Sequence, residues 1–339
     1  MHPPTYILSI ESSCDDTAAA VLKDRKVRSN CIANQEVHRI YGGVVPELAS
    51  RAHQSKIVPV VDKALNDANI DKNQLSAIAY TRGPGLLGSL LVGSSFAKSL
   101  AWSLGIPLLE INHMQAHLLV HFIEDERLKT PDFPFLGITL SGGHTQIVKV
   151  DRHFEMEVIG TTLDDAIGEA FDKCGKRIGL DYPAGPALDR WAQKGNPNTF
   201  DFPIPKVDGF DVSYSGVKTA FINFIQKMER TQPHFIEENK ADICASLQRV
   251  LVSIILEKIS AAVTSTQINR IAIGGGVAAN SEIRKRLEEK HTSQAWQIHL
   301  PPLEYTTDNA AMIGIAGYYK MQQESFGQLS DVAQARLPF

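Results

Sequence analysis

The feature that most constrains this fold is an order of apolar segments that occurs twice along the chain. Three short runs rich in Ile, Val and Ala come first, at residues 6–11, 17–22 and 27–34, before a helix, a strand and a second helix. From residue 134 the same order returns, with runs at 135–140, 145–150 and 154–159. Such a repeat predicts two similar α/β halves that face each other across a cleft, where ligands bind.

The length of the chain fits this duplication, because 339 residues exceed what one hydrophobic core normally holds. We predict a first half formed by residues 1–112 and 308–339, and a second half formed by residues 113–307. The second half carries an insertion at about 181–235. Within it, residues 200–212 combine prolines with aromatic residues in no clear period, and we expect a long surface loop there.

The composition excludes several classes of protein. Hydrophobic residues make up 43% and charged residues 21%, as in soluble globular proteins. The N-terminus has no basic region with a cleavage site, and the most apolar long stretch is interrupted by Lys98 and Pro107. The four cysteines are scattered without paired spacing, which is typical of reduced thiols. We therefore predict a cytoplasmic protein with no membrane partner.

The charge of the chain gives no general affinity for nucleic acids. The formal net charge is -4, so composition alone does not predict tight unaided binding to RNA or DNA. Basic residues cluster at 173–177 and at 284–286, but the second cluster alternates with glutamates in a helical pattern. That second cluster is interpreted as a solvated face of mixed charge.

Each half offers a polar turn between its first two strands, at residues 11–17 (ESSCDDT) and 141–145 (SGGHT). Glycines, successive amides and hydroxyl groups suit phosphate oxygens, although ordinary hairpin turns use the same residues. Their equivalent places in the two halves favour phosphate binding. The segment 274–280 (GGGVAAN) joins a strand to a helix, where it either packs against a nucleotide or makes a tight connection.

Two histidines form the most specific pattern for a metal site. His113 and His117 lie four residues apart in a helical segment, which places both imidazoles on one helix face. Two ligands alone are equally consistent with ordinary buried histidines, and Asp308 is the best candidate for a third ligand. Met114 stands where a His-Glu-x-x-His peptidase has its general base, so a peptidase lacks its proton acceptor here.

At this point the sequence resembles a known family, the tRNA N6-adenosine threonylcarbamoyltransferases, called TsaD in bacteria. The resemblance extends from Ile7 to about Tyr319. Its most specific motifs are 11–17 (ESSCDDT), 41–51 (YGGVVPELASR), 83–88 (GPGLLG), 113–117 (HMQAH), 140–146 (LSGGHTQ), 168–173 (GEAFDK) and 307–309 (TDN).

The resemblance implies a duplicated fold of the actin-like and Hsp70-like type (ASKHA, ribonuclease H-like). It also implies one divalent metal per subunit, held by His113, His117 and Asp308, with Fe²⁺ expected and Zn²⁺ as the alternative. Asp15 resembles the acidic residue near the reacting centre of the family. The residues implied to bind the adenine nucleotide are Thr139, Leu140, Ser141, Gly142, Gly143, Asp172, Gly185, Asp189 and Asn280.

The implied reaction transfers a threonylcarbamoyl group from threonylcarbamoyl-adenylate to N6 of the adenosine 3′ of the anticodon, at tRNA position 37. The products are t6A and AMP. The implied partners are the anticodon loop of tRNA, a TsaB-like paralogue, a TsaE-like ATPase and a separate synthase that makes the adenylate. An exposed anticodon loop can present its base without opening a duplex.

Proteins of other classes share parts of this pattern. A small-molecule kinase of the same fold would not need the set His113, His117 and Asp308. A non-catalytic scaffold paralogue would have lost these three residues, and this chain keeps them. An Hsp70-like binding module would need a further substrate-binding domain, for which 339 residues leave no room.

Overall fold

A computed structural model describes residues 3–35 and 37–339. The chain up to Pro131 contains β1 (Tyr6–Glu11), β2 (Thr17–Lys23), β3 (Lys26–Ala33), α1 (Val37–Tyr41), α2 (Pro46–Ala68), β4 (Ala77–Gly83), α3 (Leu87–Leu104), β5 (Leu108–Asn112) and α4 (His113–Leu119). The rest contains β6 (Phe135–Leu140), β7 (Thr145–Arg152), β8 (Glu155–Thr161), α5 (Ile167–Arg177), α6 (Ala184–Ala192), α7 (Ser215–Thr231), α8 (Phe235–Thr266), β9 (Arg270–Gly274), α9 (Ser281–Gln294), β10 (Gln297–His299) and α10 (Ala310–Gln322).

The strand order confirms the duplication predicted from the sequence. In the described residues, one five-stranded sheet has the order β3-β2-β1-β4-β5, and the other has the equivalent order β8-β7-β6-β9-β10. In each sheet the first three strands in sequence pair antiparallel, and the last two join as parallel strands. The last parallel strands, β5 and β10, which are five and three residues long, were not predicted.

The first sheet is covered on both faces, which explains its continuous apolar strands. Helices α2 and α3 pack against one face of this sheet, and α10 packs against β1 and β2 on the other. Strand β2 (TAAAVLK) is buried at every position except its last, as expected of a strand with helices on both faces. Gly314 lets α10 approach closely, because a Cβ there would lie 2.3 Å from Cδ1 of Leu22.

The insertion in the second unit contains helices α6 and α7. Helix α6 was not predicted from the sequence. Residues 200–212 form the predicted surface loop, in which only Phe202 and Val212 are buried. Phe200 and Phe202 pack against Phe224, with ring centroids 5.2 and 5.6 Å away. Val212 is buried and bridges to Thr162. Aromatic packing therefore fixes this segment without any regular hydrogen-bond period.

The chain divides into two compact units, Met1–Pro131 with Leu300–Phe339, and Asp132–His299. The predicted ranges placed residues 113–131 and 300–307 in the other half. The difference arises because α4 packs against α10 and remains with the first sheet. No helix in the described residues is both long and apolar enough to cross a membrane.

Candidate functional site

The histidine-bearing helix begins at the edge where the parallel strands of the first sheet end. Asn112 is the last residue of β5 and caps α4, because its Oδ1 accepts hydrogen bonds from the amides of Met114 (2.9 Å) and Gln115 (3.3 Å). This cap starts the helix at His113, so His113 and His117 follow on one face within its first turns.

The structure brings His113, His117 and Asp308 together within the first unit. The Nε2 atoms of the two histidines are 3.1 Å apart, and Oδ1 of Asp308 lies 3.4 Å from Nε2 of His113 and 3.2 Å from Nε2 of His117. The histidine side chains are almost completely buried, whereas 29% of the Asp308 side chain is exposed. The cluster is therefore accessible from the side of Asp308.

This triangle fits a divalent metal ion. Bonds of about 2.1 Å at angles of about 90 to 110° need ligand atoms roughly 3.0 to 3.4 Å apart, as the three observed distances are. Two imidazoles and one carboxylate also leave coordination positions open for substrate oxygens. The geometry fits the ion without distinguishing one divalent metal from another.

Glu11, the last residue of β1, holds His113 in the orientation that a metal ligand needs. Its Oε2 accepts a hydrogen bond from Nδ1 of His113 at 3.0 Å, which leaves Nε2 to face Asp308. The hydroxyl of Thr81 donates to the same carboxylate. A carboxylate behind a ligating histidine fixes its tautomer and makes its Nε2 more basic.

The carboxylates of Glu11 and Asp308 favour positive charge in this cluster. Burial acts to lower the pKa of His113, but Glu11 and Asp308 outweigh it and raise the pKa well above its usual value. Burial and the charge of His113 lower the pKa of His117. Burial would raise the pKa of Asp308, yet His113 and His117 hold it below its ordinary range. A divalent ion would supply the same compensation with both imidazoles neutral.

The turn between β1 and β2, which carries Asp15, is anchored by α2 and by the start of α3. The carbonyl of Cys14 accepts hydrogen bonds from Nε2 of His53 (3.0 Å) and from the hydroxyl of Ser89 (3.0 Å). Nδ1 of His53 then accepts from the hydroxyl of Thr17 at 2.8 Å. His53 is completely buried, so the turn has a fixed backbone rather than a mobile one.

The two acidic residues of this turn differ from ordinary surface carboxylates. Asp15 and Asp16 are both partly buried. Burial, followed by the charge of Asp15 and then that of Asp308, raises the pKa of Asp16 to about 7. A negative charge on Asp15 thus helps to keep a proton on its neighbour near neutral pH.

In the second unit, residues 139–143 end β6 and form the turn into β7. The amide of Ser141 donates to the carbonyl of His144 at 2.9 Å, and the amide of His144 donates to the hydroxyl of Ser141 at 3.0 Å. Both groups of Ser141 therefore close the turn. A Cβ on Gly142 or Gly143 would meet no atom within 4 Å, so open space adjoins these two glycines.

Two further glycines pack closely against the backbone of this turn. A Cβ on Gly168 of α5 would lie 2.7 Å from the carbonyl oxygen of Ser141. A Cβ on Gly275, whose φ is +90°, would lie 2.4 Å from the carbonyl oxygen of Leu140. The close approach and the left-handed backbone both require glycine at 275. The glycine run 274–276 thus supports the turn at residues 140–143, whatever else it does.

The other implied nucleotide residues gather around α6. Oδ1 of Asp172 accepts from the amides of Ala184 (2.7 Å) and Gly185 (3.2 Å), which joins α5 to the start of α6. Burial raises the pKa of Asp172 above its usual value. Asp189, further along α6, accepts from the hydroxyl of Ser281 at 2.6 Å.

Asn280 belongs to the same group through a residue that the sequence did not indicate. Its Nδ2 donates to Oε1 of Gln248 at 2.9 Å, and Nε2 of Gln248 donates to Asp189 at 3.0 Å. Oδ1 of Asn280 caps α9. The implied nucleotide residues thus form the turn at 139–143 and a hydrogen-bonded group on α5, α6 and α9, within one unit.

Sequence reasoning gave no role of its own to Glu11, the first residue of the turn 11–17, and it missed His53 and Gln248. Glu11 and Gln248 are polar side chains inside apolar segments: Glu11 ends the buried strand YILSIE, and Gln248 interrupts the buried face of α8. Because a buried polar group needs a partner, such positions are a usable signal. His53 gives a weaker signal, since its surroundings on α2 are mixed.

Known proteins resemble this chain over nearly its whole length. A family model described as TsaD, tRNA N6-adenosine threonylcarbamoyltransferase, matches residues 26–315. A protein of Christiangramia forsetii with that name is 59% identical over 333 residues, covering 98% of each chain. One of Riemerella anatipestifer with the same name is 54% identical, covering 98% of this chain and 97% of its own.

A solved structure of similar shape is that of full-length HypF in a phosphate- and nucleotide-bound form. It matches with a TM-score of 0.62 at 14% identity, and it covers 95% of this chain. The present chain spans 47% of that protein. At such low identity the likeness shows the fold alone, and it agrees with the predicted duplicated α/β class.

Proposed function

The chain belongs to the tRNA N6-adenosine threonylcarbamoyltransferase family, and on this premise we propose how its residues carry out that reaction. It transfers the threonylcarbamoyl group from threonylcarbamoyl-adenylate to N6 of adenosine 37 of tRNA, forming t6A and AMP. The observation that carries this function is the match to named relatives over 98% of the chain. The cluster of His113, His117 and Asp308 supports it and gives no support to a kinase or a scaffold.

His113, His117 and Asp308 are the proposed metal ligands. Two imidazoles and a carboxylate suit Fe²⁺, with Zn²⁺ as the alternative. When bound, such an ion polarises the oxygens of the donor and stabilises negative charge that develops on them. Glu11 contributes by keeping Nε2 of His113 directed at the ion, and the fixed first turn of α4 holds both imidazoles.

Asp15 is the proposed acceptor of the proton that leaves N6. The amine is a weak nucleophile, because its lone pair is delocalised into the adenine ring, so a positioned base assists the attack. The hydrogen bonds from His53 and Ser89 to Cys14 hold the turn beside Asp15 in place. The pKa of Asp16 is raised to about 7, so this neighbour carries a proton below that pH and is then not an acceptor itself.

The nucleotide part of the donor, which leaves as AMP, is assigned to the second unit. The amides of Gly142 and Gly143 adjoin open space and suit the oxygens of the phosphate. Thr139, Leu140 and Ser141 shape the same turn. The remaining proposed nucleotide residues are Asp172, Gly185, Asp189 and Asn280.

The proposal includes the partners implied by the family resemblance. A separate synthase supplies the adenylate, and a TsaB-like paralogue and a TsaE-like ATPase work with the chain. A cytoplasmic location follows from the tRNA substrate and agrees with the four free cysteines.

Reconstitution tests the proposed function directly. The protein is combined with its partners, the synthase, ATP, threonine, bicarbonate and tRNA, and the digested nucleosides are examined by mass spectrometry. We expect t6A when all components are present and none when this chain is left out. Absence of t6A from the complete mixture, with transfer of phosphate to a small molecule instead, would favour the kinase alternative.

A further inference from the structure

An exposed indole with two ammonium groups lies at the end of α6. Trp191 has 39% of its surface exposed. Nζ of Lys194 lies 5.2 Å from the centroid of the Trp191 ring, and Nζ of Lys240, which comes from α8, lies 5.7 Å from it. We call Trp191, Lys194 and Lys240 the Trp191 surface. All three residues belong to the second unit.

Neither ammonium of the Trp191 surface is held by a carboxylate of the described residues. In the described part of the chain, neither forms an ion pair, and both lie at cation–π distance from the indole. The acidic side chains nearest in sequence to Lys240 are Glu237, which contacts His234, Glu238, which is exposed, and Asp242, which accepts from the amide of Asn196. The two ammoniums are therefore free to bind an external anion.

This chemistry suits a single-stranded or looped nucleic acid. Ammonium groups bind phosphates, and an exposed indole gives an unpaired base a surface on which to stack. Protein interfaces are enriched in tryptophan but depleted of lysine, so the two ammoniums are what favours a nucleic acid here. Both ammoniums lie over the indole, so a base that stacks on the ring would displace them towards its own phosphates.

The position of the Trp191 surface on α6 connects it with the proposed nucleotide residues. Gly185 and Asp189 lie on the same helix as Trp191. Trp191 follows Asp189 by two residues, which is about 200° around the helix, so the two side chains project from opposite faces. At about 1.5 Å per residue, Gly185 and Trp191 are about 9 Å apart along the helix axis, so an RNA bound to Trp191 would lie within about two helical turns of residues proposed to hold the donor, on another face of α6.

We propose that the Trp191 surface binds the substrate tRNA, with an unpaired base on the indole and phosphates on Lys194 and Lys240. The identity of the RNA rests on the proposed function. The surface itself provides the local positive charge that the overall composition of the chain lacks.

The test measures the KM for tRNA and its salt dependence in the reconstituted reaction. The double variant Lys194→Glu, Lys240→Glu should raise this KM about tenfold or more, and should reduce the slope of log affinity against log salt by about one per lost phosphate contact. Trp191→Ala should raise the KM about fivefold or more, whereas Trp191→Phe keeps a stacking ring and should stay close to the wild type. The kcat should change little in all of them.

The matched control is Lys26→Glu, Lys285→Glu, which makes the same change in net charge at two exposed lysines elsewhere. Thermal unfolding of every variant identifies loss of the fold. The proposal is overturned if the Trp191 surface variants show the KM and salt slope of the wild type, or no larger effect than the control. If the wild type itself forms no t6A, the proposed function fails instead, and direct binding of tRNA to the same variants still tests the surface.

Discussion

The carboxylate of Glu11 determines which nitrogen of His113 is available to a metal ion. Because Nδ1 of His113 donates to Glu11 at 3.0 Å, Nε2 keeps its lone pair directed at the position shared with His117 and Asp308. His117 has no such support: its Nδ1 is buried and has no hydrogen-bond partner among the described residues. The two histidines are therefore unequal, and the site depends on Glu11 for one of them.

The substitution Glu11→Gln should weaken metal binding about 10- to 100-fold, the usual effect of losing a carboxylate behind a ligating histidine. The shape of the side chain is kept, but its charge is lost, so Nε2 of His113 becomes less basic. Metal content after competition with a chelator, measured by mass spectrometry of the elements, checks this without any assay of activity. Glu47→Gln removes an exposed carboxylate as the control. Equal metal affinity in both variants would contradict the role of Glu11.

The sequence indicated the candidate metal ligands but not the residues that hold them in place. The spacing of His113 and His117 follows from helix geometry alone, which is why it was visible. Asp308 lies 191 residues further along the chain and was selected by its place at the start of the last apolar helix. Glu11 and His53 could not be assigned, because their partners are distant in sequence and become neighbours only through strand order.

Close contact between helix α5 and the turn at residues 140–143 sets the position of the proposed phosphate-binding amides. The closest atoms to a Cβ at Gly168 are backbone atoms, the oxygen of Ser141 at 2.7 Å and Cα of Gly142 at 2.8 Å. Backbone atoms cannot move aside as a flexible side chain does. Any larger residue at 168 must therefore displace the turn or the helix.

Gly168→Ala should weaken the binding of AMP about tenfold, equal to about 1.4 kcal/mol, while metal content stays unchanged. Isothermal titration calorimetry measures the affinity for AMP, and elemental analysis measures the metal content. Gly216→Ala is the matched control, since the nearest atom to a Cβ there is Cγ of Pro205 at 3.4 Å. Tight AMP binding by Gly168→Ala would show that the turn does not hold the nucleotide.

Helix α7 of the insertion is held by Asp164, which precedes α5. Its Oδ1 accepts from the amides of Tyr214 (2.8 Å) and Ser215 (3.1 Å), and its Oδ2 accepts from the hydroxyl of Ser215 at 2.8 Å. Burial acts to raise the pKa of Asp164, but these hydrogen bonds, with that from Ser213, hold it below its usual range. Asp164, which is distant in sequence, therefore caps the N-terminus of α7.

Asp164→Asn should lower the free energy of unfolding by about 1 kcal/mol at pH 7, the usual value of a helix cap. A carboxylate with a lowered pKa stabilises the fold above its unfolded-state pKa of about 3.9, and loses this effect as the pH falls through its folded-state pKa. The difference from the wild type should thus shrink below about pH 4. Urea unfolding at several pH values checks this, with Asp151→Asn as an exposed control. A difference that is independent of pH would exclude the charge as its cause.

Most long elements were predicted from periodicity, and the short ones were not. Helix α3 and the strands β1 and β6 follow the expected apolar patterns closely. Strand β10 has only three residues, too few to show a period, and β5 directly follows the apolar helix α3, from which its pattern is not distinct. Helix α6 begins directly after Pro183 and was not predicted. The surface loop at residues 200–212 is attached through Phe200, whose ring contacts with α7 and α8 are not encoded in any local pattern.

For the whole molecule, duplication has given each sheet the same strand order but different chemistry. The unit formed by Met1–Pro131 and Leu300–Phe339 contains the three candidate metal ligands. The unit Asp132–His299 contains the residues proposed for the nucleotide and the Trp191 surface. The duplication was predictable from the order of segments, because strands and helices recur in the same sequence. The proposed division of roles was not visible in that order, and it rests on the residues that match the family motifs.

The central claim is that His113, His117 and Asp308 hold one metal ion that the transfer requires. The most direct measurement is the metal content of His113→Ala and Asp308→Ala, together with t6A formation by the same preparations in the reconstituted reaction. His234→Ala, at an exposed histidine, is the control. We expect both variants to lose the metal and t6A formation together, while the control keeps both. Full t6A formation by either variant without bound metal would contradict the account.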